Sequence, residues 1–449
     1  YLAQKKYKDA YTQLEHAIAL YPKSALLFTK QFDFFISRHQ YEKAQQILEK
    51  YLTERPDDNW AFVKLSQLYW KRGQYQNVIA TSEKIIQNVT FSGIGIAIDN
   101  KQNKEAFPKV VSIMPQSPAS QTDIKAQDEI IEIDGTSIEN LDLNTVMNKL
   151  QGPDNTSVHL KIRRAGSDDV IQKTVIRTTL YRNPQIAAVA MSMISLCYLE
   201  LGDFSNAQIF LDRANKAYAN VTLVKIAQAS FMLKKEQYDD ALKILTDTKD
   251  DYAVFLSALA LAKKRQYDES MQRYKTVAHS DHMLMGEKTK KRYFEALTPY
   301  SNAIENRAVE YEKNKQLRAA LEEYQKLLAT VSAEKAQWIR NRVAKIIASN
   351  PSLIEFVGTA RQYYLHAEVL FTNNKFDEAL AELDKAMELV PFNPQIYFNK
   401  ALIYEKLADY AQAIENMEIF LSLNPSTPNA QIIRDQIYKW KFTLEKELS

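Results

Sequence analysis

The chain has 449 residues, 46% of them hydrophobic and 25% charged, so it is too long for one hydrophobic core and too apolar to be disordered. Its 58 basic and 55 acidic side chains leave a net charge of +3, which gives no electrostatic footprint for nucleic acid or an anionic membrane surface. Cys197 is the only cysteine, which excludes an intramolecular disulfide and a thiolate zinc site. The longest apolar stretch, Ile186 to Leu199, falls short of the roughly 20 residues of a spanning helix and includes Ser192 and Ser195. No signal peptide and no direct membrane insertion are therefore expected.

From the first residues the sequence repeats itself. Tyr7, Ala10 and Pro22 recur as Tyr41, Ala44 and Pro56, 34 positions later, and Tyr75 and Val78 continue the register. Within a unit the apolar positions follow helical spacing, as in Phe62, Leu65 and Tyr69, then Val78 and Ile85. Each helix then has one apolar face, and since no unit can bury both of its faces, the units must stack. A small residue where two helices cross, an aromatic just before it and a helix-ending proline make this period resemble the tetratricopeptide repeat (TPR), a helix-turn-helix unit. The register implies that Tyr1 sits late in the first helix of its repeat. The first repeat is then truncated and the chain is expected to be a fragment, with any targeting signal in the missing part.

Residues 90–180 differ in kind. Five of the nine glycines (Gly93, Gly95, Gly135, Gly152 and Gly166) fall there, with no tyrosine and no tryptophan. The order is Gly93-Ile94-Gly95-Ile96-Ala97-Ile98, a β-type run Val110–Ile113, Ser117-Pro118-Ala119, and Asp128 to Gly135. A helix from Leu141 to Leu150, Gly152-Pro153 and two strands, Val158–Arg163 and Val170–Arg177, complete it. This sequence of elements resembles a PDZ domain, in particular that of bacterial carboxy-terminal processing proteases. It departs from the family at Gln127, where a glycine usually precedes the aspartate.

The resemblance implies a peptide receptor. The loop of Gly93, Ile94, Gly95 and Ile96 would hold a partner's C-terminal carboxylate on backbone amides, since glycines let N–H groups converge into a nest. The strand Ile96–Ile98 would accept an extended peptide as an added strand, with Ile98, Leu143, Val146, Met147 and Leu150 lining an apolar groove. Some of the four helix residues must instead be core, and the sequence leaves open which. No strand is expected before Gly93, because Ser82–Gln87 reads as helix. Val170–Arg177 would then take the place of the usual first strand, as in permuted bacterial PDZ domains. Both module ends would lie near the carboxylate loop and the groove near the TPR surface, where one partner could touch both.

After the module the period resumes: Phe204, Ala207 and Leu211 map onto Tyr238, Ala241 and Leu245, and Phe376, Ala379 and Pro391 onto Tyr410, Ala413 and Pro425. Between them the register is irregular. From Ala241 to Ser270, Ala320 and Ala379 the steps are 29, 50 and 59, so Met283–Thr298 and Ala333–Ser349 read as extra or divergent helices. Asn429 to Leu448, with Ile432, Ile433, Ile437, Trp440 and Leu444, reads as a capping helix.

The expected fold is mainly α: a TPR-type α-solenoid interrupted by a small α/β PDZ domain, a partly open β-barrel with two helices. Its expected parts are residues 1–89, 90–180, 181–427 and a cap at 428–449. Catalytic motifs are absent: no phosphate-binding glycine loop, no His-Glu-x-x-His and no Cys-x-x-Cys. The serine–lysine domain of the processing proteases has no counterpart, nor does the Lys/Asn pattern of TPR domains that clamp acidic tails. His279, Asp281 and His282, with Met283 and Met285, lie close together but read as a solvated loop rather than a metal site. The expectation is a non-enzymatic scaffold or adaptor without metal or cofactor, binding a protein or peptide with a free C-terminus in the bacterial periplasm or cell envelope, or else in the cytoplasm. The alternatives are a regulatory or substrate-delivery subunit of a separate envelope protease, and a self-assembling TPR protein with the PDZ as spacer.

Overall fold

The computed structural model describes residues 7–21, 24–36, 40–99, 107–139, 141–167, 169–278, 280, 282 and 284–448. Helices α1 (Tyr7–Leu20), α2 (Ala25–Ile36), α3 (Tyr41–Glu54), α4 (Asn59–Lys71) and α5 (Tyr75–Val89) lead into the glycine-rich module. Strands β1 (Thr90–Gly93), β2 (Ile96–Ile98), β3 (Val110–Ile113), β4 (Glu129–Ile133) and β5 (Thr136–Ser137) open the module. Helix α6 (Leu143–Leu150) and strands β6 (Ser157–Arg163), β7 (Val170–Ile176) and β8 (Thr178–Tyr181) close it. Then come α7 (Pro184–Leu201), α8 (Phe204–Tyr218), α9 (Thr222–Lys234), α10 (Tyr238–Leu245), α11 (Asp251–Lys263) and α12 (Tyr267–Val277). They are followed by α13 (Glu287–Lys313), α14 (Leu317–Leu328), α15 (Ala333–Ser349), α16 (Gly358–Thr372), α17 (Phe376–Leu389), α18 (Pro394–Lys406), α19 (Tyr410–Leu423) and α20 (Ala430–Leu448). The chain divides into two compact units, residues 55–236 and residues 1–54 with 237–449. Tyr1 and Pro22, which entered the repeat register, lie outside the described residues.

One local device builds the helix pairs. The first helix ends on a residue in the left-handed region: Gly73, Gly202, Glu236, Arg265, Lys315, Asn374 and Ala408 have φ between 55° and 80°. The following N–H then reaches back five residues, from Gln74 to the Tyr69 carbonyl and from Asp203 to that of Tyr198 at 2.9 Å, and from Asp409 to that of Tyr404 at 2.8 Å. This turn sets the six-residue spacing between the late first-helix residue and the aromatic that opens the second helix. Trp70 and Tyr75 meet edge to face across one such turn at 5.2 Å. Where the paired helices cross, Ala44, Val78, Ala207, Ala241, Ser270, Ala320, Ala379 and Ala413 are all fully buried, as their small size requires.

The divergent stretches are helical. α13 runs for 27 residues with Pro299 inside it, and α15 occupies Ala333–Ser349. α15 packs on α14 and also on α19, burying Ile339, Val343 and Ile347 in one cluster with Tyr324, Phe392 and Leu423. α20 covers the last pair with Ile433, Ile437 and Trp440, and the Trp440 indole N–H donates to Glu405 Oε1 at 3.0 Å. Ile432, expected on that apolar face, points to solvent instead.

In the unit of residues 55–236, α5 and α7 flank the module in sequence yet pack directly on each other. α7 revises the expectation about membranes. It is 18 residues long and, by length and composition alone, apolar enough to cross one, but 61% of it is buried within the protein. Its buried face includes Met191, Ile194 and Cys197 against α5, α8 and α9. Burial also pushes the Cys197 thiol far above its ordinary pKa.

The module has three sheets, β1-β8, β2-β3 and the antiparallel β5-β4-β6-β7. Its small helices are α6 and a 3-10 turn, Pro118–Gln121. The expected strand order needs correction. A strand does precede the carboxylate loop: β1 follows α5 without a gap and pairs with β8 from Thr90↔Tyr181 to Gly93↔Thr178. Val170–Ile176 pairs antiparallel with β6 at the edge of the four-stranded sheet. β7 stops at Arg177, whose guanidinium turns inward, and the chain restarts as β8. The module's two ends therefore lie side by side.

Candidate peptide-binding site

The loop Gly93–Ile96 leaves β1 and enters β2. Gly95 has φ +81°, and a Cβ there would stand 2.2 Å from the Ser117 Cβ, so only glycine fits. The Ile94 carbonyl accepts from the Ala119 N–H at 3.0 Å and the Gly95 carbonyl from the Met114 N–H at 2.8 Å, which pins the loop to the turn over Pro118–Gln121. Gly93, Ile94 and Gly95 are buried, the Ile94 side chain within the module core, while Ile96 is half-buried and Ala97 exposed.

β2 pairs with β3 on one side, and among the described residues no strand lies on the other. Ala97 faces Ser112 in the ladder and Met114 bonds back to Gly95, so alternation turns the Ile96 and Ile98 amides toward the open edge. The side chains of Ile96 and Ile98 pack on the core. The edge can thus accept main-chain hydrogen bonds from an extended chain.

Helix α6 is capped by Asp142, which accepts from the Thr145 N–H at 3.0 Å and its hydroxyl at 2.6 Å; these bonds hold the carboxyl below its ordinary pKa. Its apolar residues form two stripes. Val146 and Leu150, expected in the groove, are buried in the core against the sheet because their i, i+4 stripe faces inward. Leu143 and Met147 form the neighbouring stripe, are half-buried and stand outside that core, so they remain for a groove.

The sequence reading missed Arg177. Almost fully buried, it donates from Nε to the Leu150 carbonyl at 3.2 Å and from Nη2 to that of Lys149 at 2.7 Å. Its Nη1 reaches the Thr156 hydroxyl at 3.0 Å and the Ser157 carbonyl at 2.8 Å. It thus caps the C-terminus of α6 and ties it to β6. A lone basic residue between two β-type runs was the available signal. Gln127 adopts φ +72°, keeping the conformation that the usual glycine would take.

The histidine cluster gives no site. His282 Nδ1 accepts from the Leu284 N–H at 3.2 Å, and Nε2 lies 3.3 Å from Asp250 Oδ2, so the ring docks its loop on α11. His279, Asp281 and Met283 lie outside the described residues, among which no group of three metal-ligand side chains occurs.

Comparison with known proteins bears on both parts of the chain. The PDZ domain family matches residues 84–163, and two tetratricopeptide repeat families match residues 367–407 and 394–427. The carboxyl-terminal-processing protease of Synechocystis sp. is 29% identical over 116 residues, 25% of this chain and 27% of that protein. The carboxy-terminal processing protease CtpB of Bacillus subtilis is 37% identical over 78 residues, 17% of this chain and 16% of that protein. Among solved structures, the PDZ domain of the carboxy-terminal protease from Vibrio cholerae, in complex with peptide, is 20% identical, covers 20% of this chain and 98% of its own, and has a TM-score of 0.19. The chain spans about a quarter or less of the length of the two protease relatives. Their similarity is confined to the PDZ portion and does not include the protease domain. The chain therefore combines a PDZ domain, similar to those of carboxy-terminal processing proteases, with tetratricopeptide repeats, both of them protein–protein interaction modules.

Proposed function

We propose that the chain is a non-enzymatic scaffold or adaptor, divided near residues 89, 180 and 427, whose PDZ domain captures a partner's C-terminal peptide as an added strand. The supporting observation is the unpaired edge of β2, continuous with the pinned loop Gly93–Ile96. The carboxylate takes the amide end of that loop, the peptide backbone takes Ile96 and Ile98, and the last side chain takes the apolar stripe of Leu143 and Met147. A contact of this kind has a Kd on the order of micromolar, about −8 kcal/mol, and the TPR surface adds affinity by holding the same partner or a second one. Similarity to the processing proteases favours a bacterial periplasm or cell-envelope setting over the cytoplasm. It also gives weight to a second role, delivering substrates to a separate envelope protease. The burial of Gly93–Gly95 favours the rival in which the PDZ is a spacer and the TPR faces self-assemble.

The test is titration of the full chain with a library of C-terminal peptides, each hit paired with its C-terminal amide. Binding of free acids and not of amides supports the receptor. Equal binding of both, or concentration-dependent self-association without peptide binding, supports the spacer.

A further inference from the structure

The module joins the helical repeats through a ribbon of only two strands, an element that is marginal by itself. β1 continues α5, β8 runs toward α7, and the Arg182 N–H donates to the Val89 carbonyl at 2.7 Å, carrying the ladder up to the end of α5. On one face of this neck Phe91 and Leu180 stand opposite each other, with the Arg182 guanidinium 5.4 Å above the Phe91 ring. On the other face Ser92 and Thr179 are register partners. Both hydroxyls donate to the carboxylate of Asp154, Ser92 to Oδ1 at 2.8 Å and Thr179 to Oδ2 at 2.6 Å. The same loop is held by the Gly152 N–H on the Ser92 carbonyl at 3.4 Å and the Asn155 N–H on the Arg177 carbonyl at 2.9 Å.

We propose that Asp154 is a positioning residue that staples the neck and holds the peptide edge in one orientation on the repeats α4, α5, α7, α8 and α9; its use, though not its geometry, rests on the groove being a peptide site. The carboxylate loop begins at Gly93, which is part of the neck. Asp154 follows the end of α6 by four residues, so the helix wall of the groove is referenced to the same two strands. The neck in turn is continuous with α5, and α5 packs on α7. Both strands present hydroxyls, and a carboxylate accepts from the two at once through charge-assisted bonds. An amide would have to donate to one of them, replacing a charge-assisted bond by a weaker neutral one.

The test is a pair of spin labels on the full chain at Asn148, exposed on α6, and Lys216, exposed on α8, with the fully buried Cys197 left in place or changed to Ala. Pulsed dipolar spectroscopy is expected to give one narrow distance population. Asp154→Ala should broaden it at least two-fold while leaving hydrogen exchange of β4 and β6 unchanged, which separates orientation from stability. Thr179→Val, removing one donor only, should broaden it less. A broad distribution in the parent protein, or a narrow one in Asp154→Ala, overturns the proposal. If Asp154→Ala alters exchange throughout the module, the Thr179→Val distances decide: broadening supports the staple and an unchanged width overturns it. All distances are measured without peptide, so the outcome is independent of whether the groove binds one.

Discussion

The repeat turns and the carboxylate loop of the module both place a residue in the left-handed backbone region, but with opposite room for a side chain. In the repeats that position is taken by Gly73, Gly202, Glu236, Arg265, Lys315, Asn374 and Ala408. A Cβ at Gly73 or Gly202 would meet nothing within 4 Å, so each turn requires only the backbone conformation. In the module Gly95 adopts the same conformation against Ser117, where there is no room for a methyl group. The difference explains why glycine is scarce in a chain full of tight turns. Its cost falls on local backbone strain where space is open, and on packing where two segments must touch.

The two regions should differ most at Gly95. Gly95→Ala should destabilise the module by about 3–5 kcal/mol through overpacking plus left-handed strain, whereas Gly202→Ala should cost only about 1–2 kcal/mol. Hydrogen exchange on the full chain would read both, with β2–β4 deprotected in the first variant and α7 retaining its protection. Next in size is Arg177→Met, which removes the donors to the Lys149, Leu150 and Ser157 carbonyls and should cost about 3 kcal/mol in denaturant unfolding of the module. Lysine should restore little of it, lacking the planar fork.

Alkaline titration divides the regions by composition, because residues 90–180 contain no tyrosine. Burial pushes the Tyr293 hydroxyl up to about 12 from an ordinary 10.0. Its neutral form therefore favours the fold below pH 10, and that contribution is lost as pH rises from 10 to about 12. Melting followed against pH should show the repeats weakening in this window before the module does, and Tyr293→Phe should reduce the loss. The smallest effects come from relieving strain. Ala408→Gly in a repeat turn and Gln127→Gly in the module should each raise stability by up to about 1 kcal/mol, since the left-handed strain removed slightly exceeds the added chain entropy.

What was legible in the sequence follows the same division. The repeats declare themselves because one turn and one small crossing residue recur, so Ala207, Ala241, Ser270, Ala320, Ala379 and Ala413 mark the irregular steps and α13 and α15 fill the gaps. The loop Gly93–Ile96 and strand β2 were readable because glycines in a β run have few other uses. The neck was not, because four-residue strands lack a visible alternation and Thr90-Phe91 continues directly out of α5. Periodicity also could not separate Val146 and Leu150 from Leu143 and Met147, since all four are apolar and only contact with the sheet makes two of them core. Ile432 failed for the same reason, as one helix turn carries two adjacent isoleucines and the underlying pair accommodates Ile433.

Peptide capture by β2 is read at single residues by amide hydrogen exchange of the full chain, with and without a saturating free-acid peptide selected from the C-terminal library. If β2 receives the peptide, exchange slows at Ile96 and Ile98, on its open edge, and does not slow with the matching C-terminal amide. Unchanged exchange at those two amides, with slowing confined to the helical repeats, would contradict it.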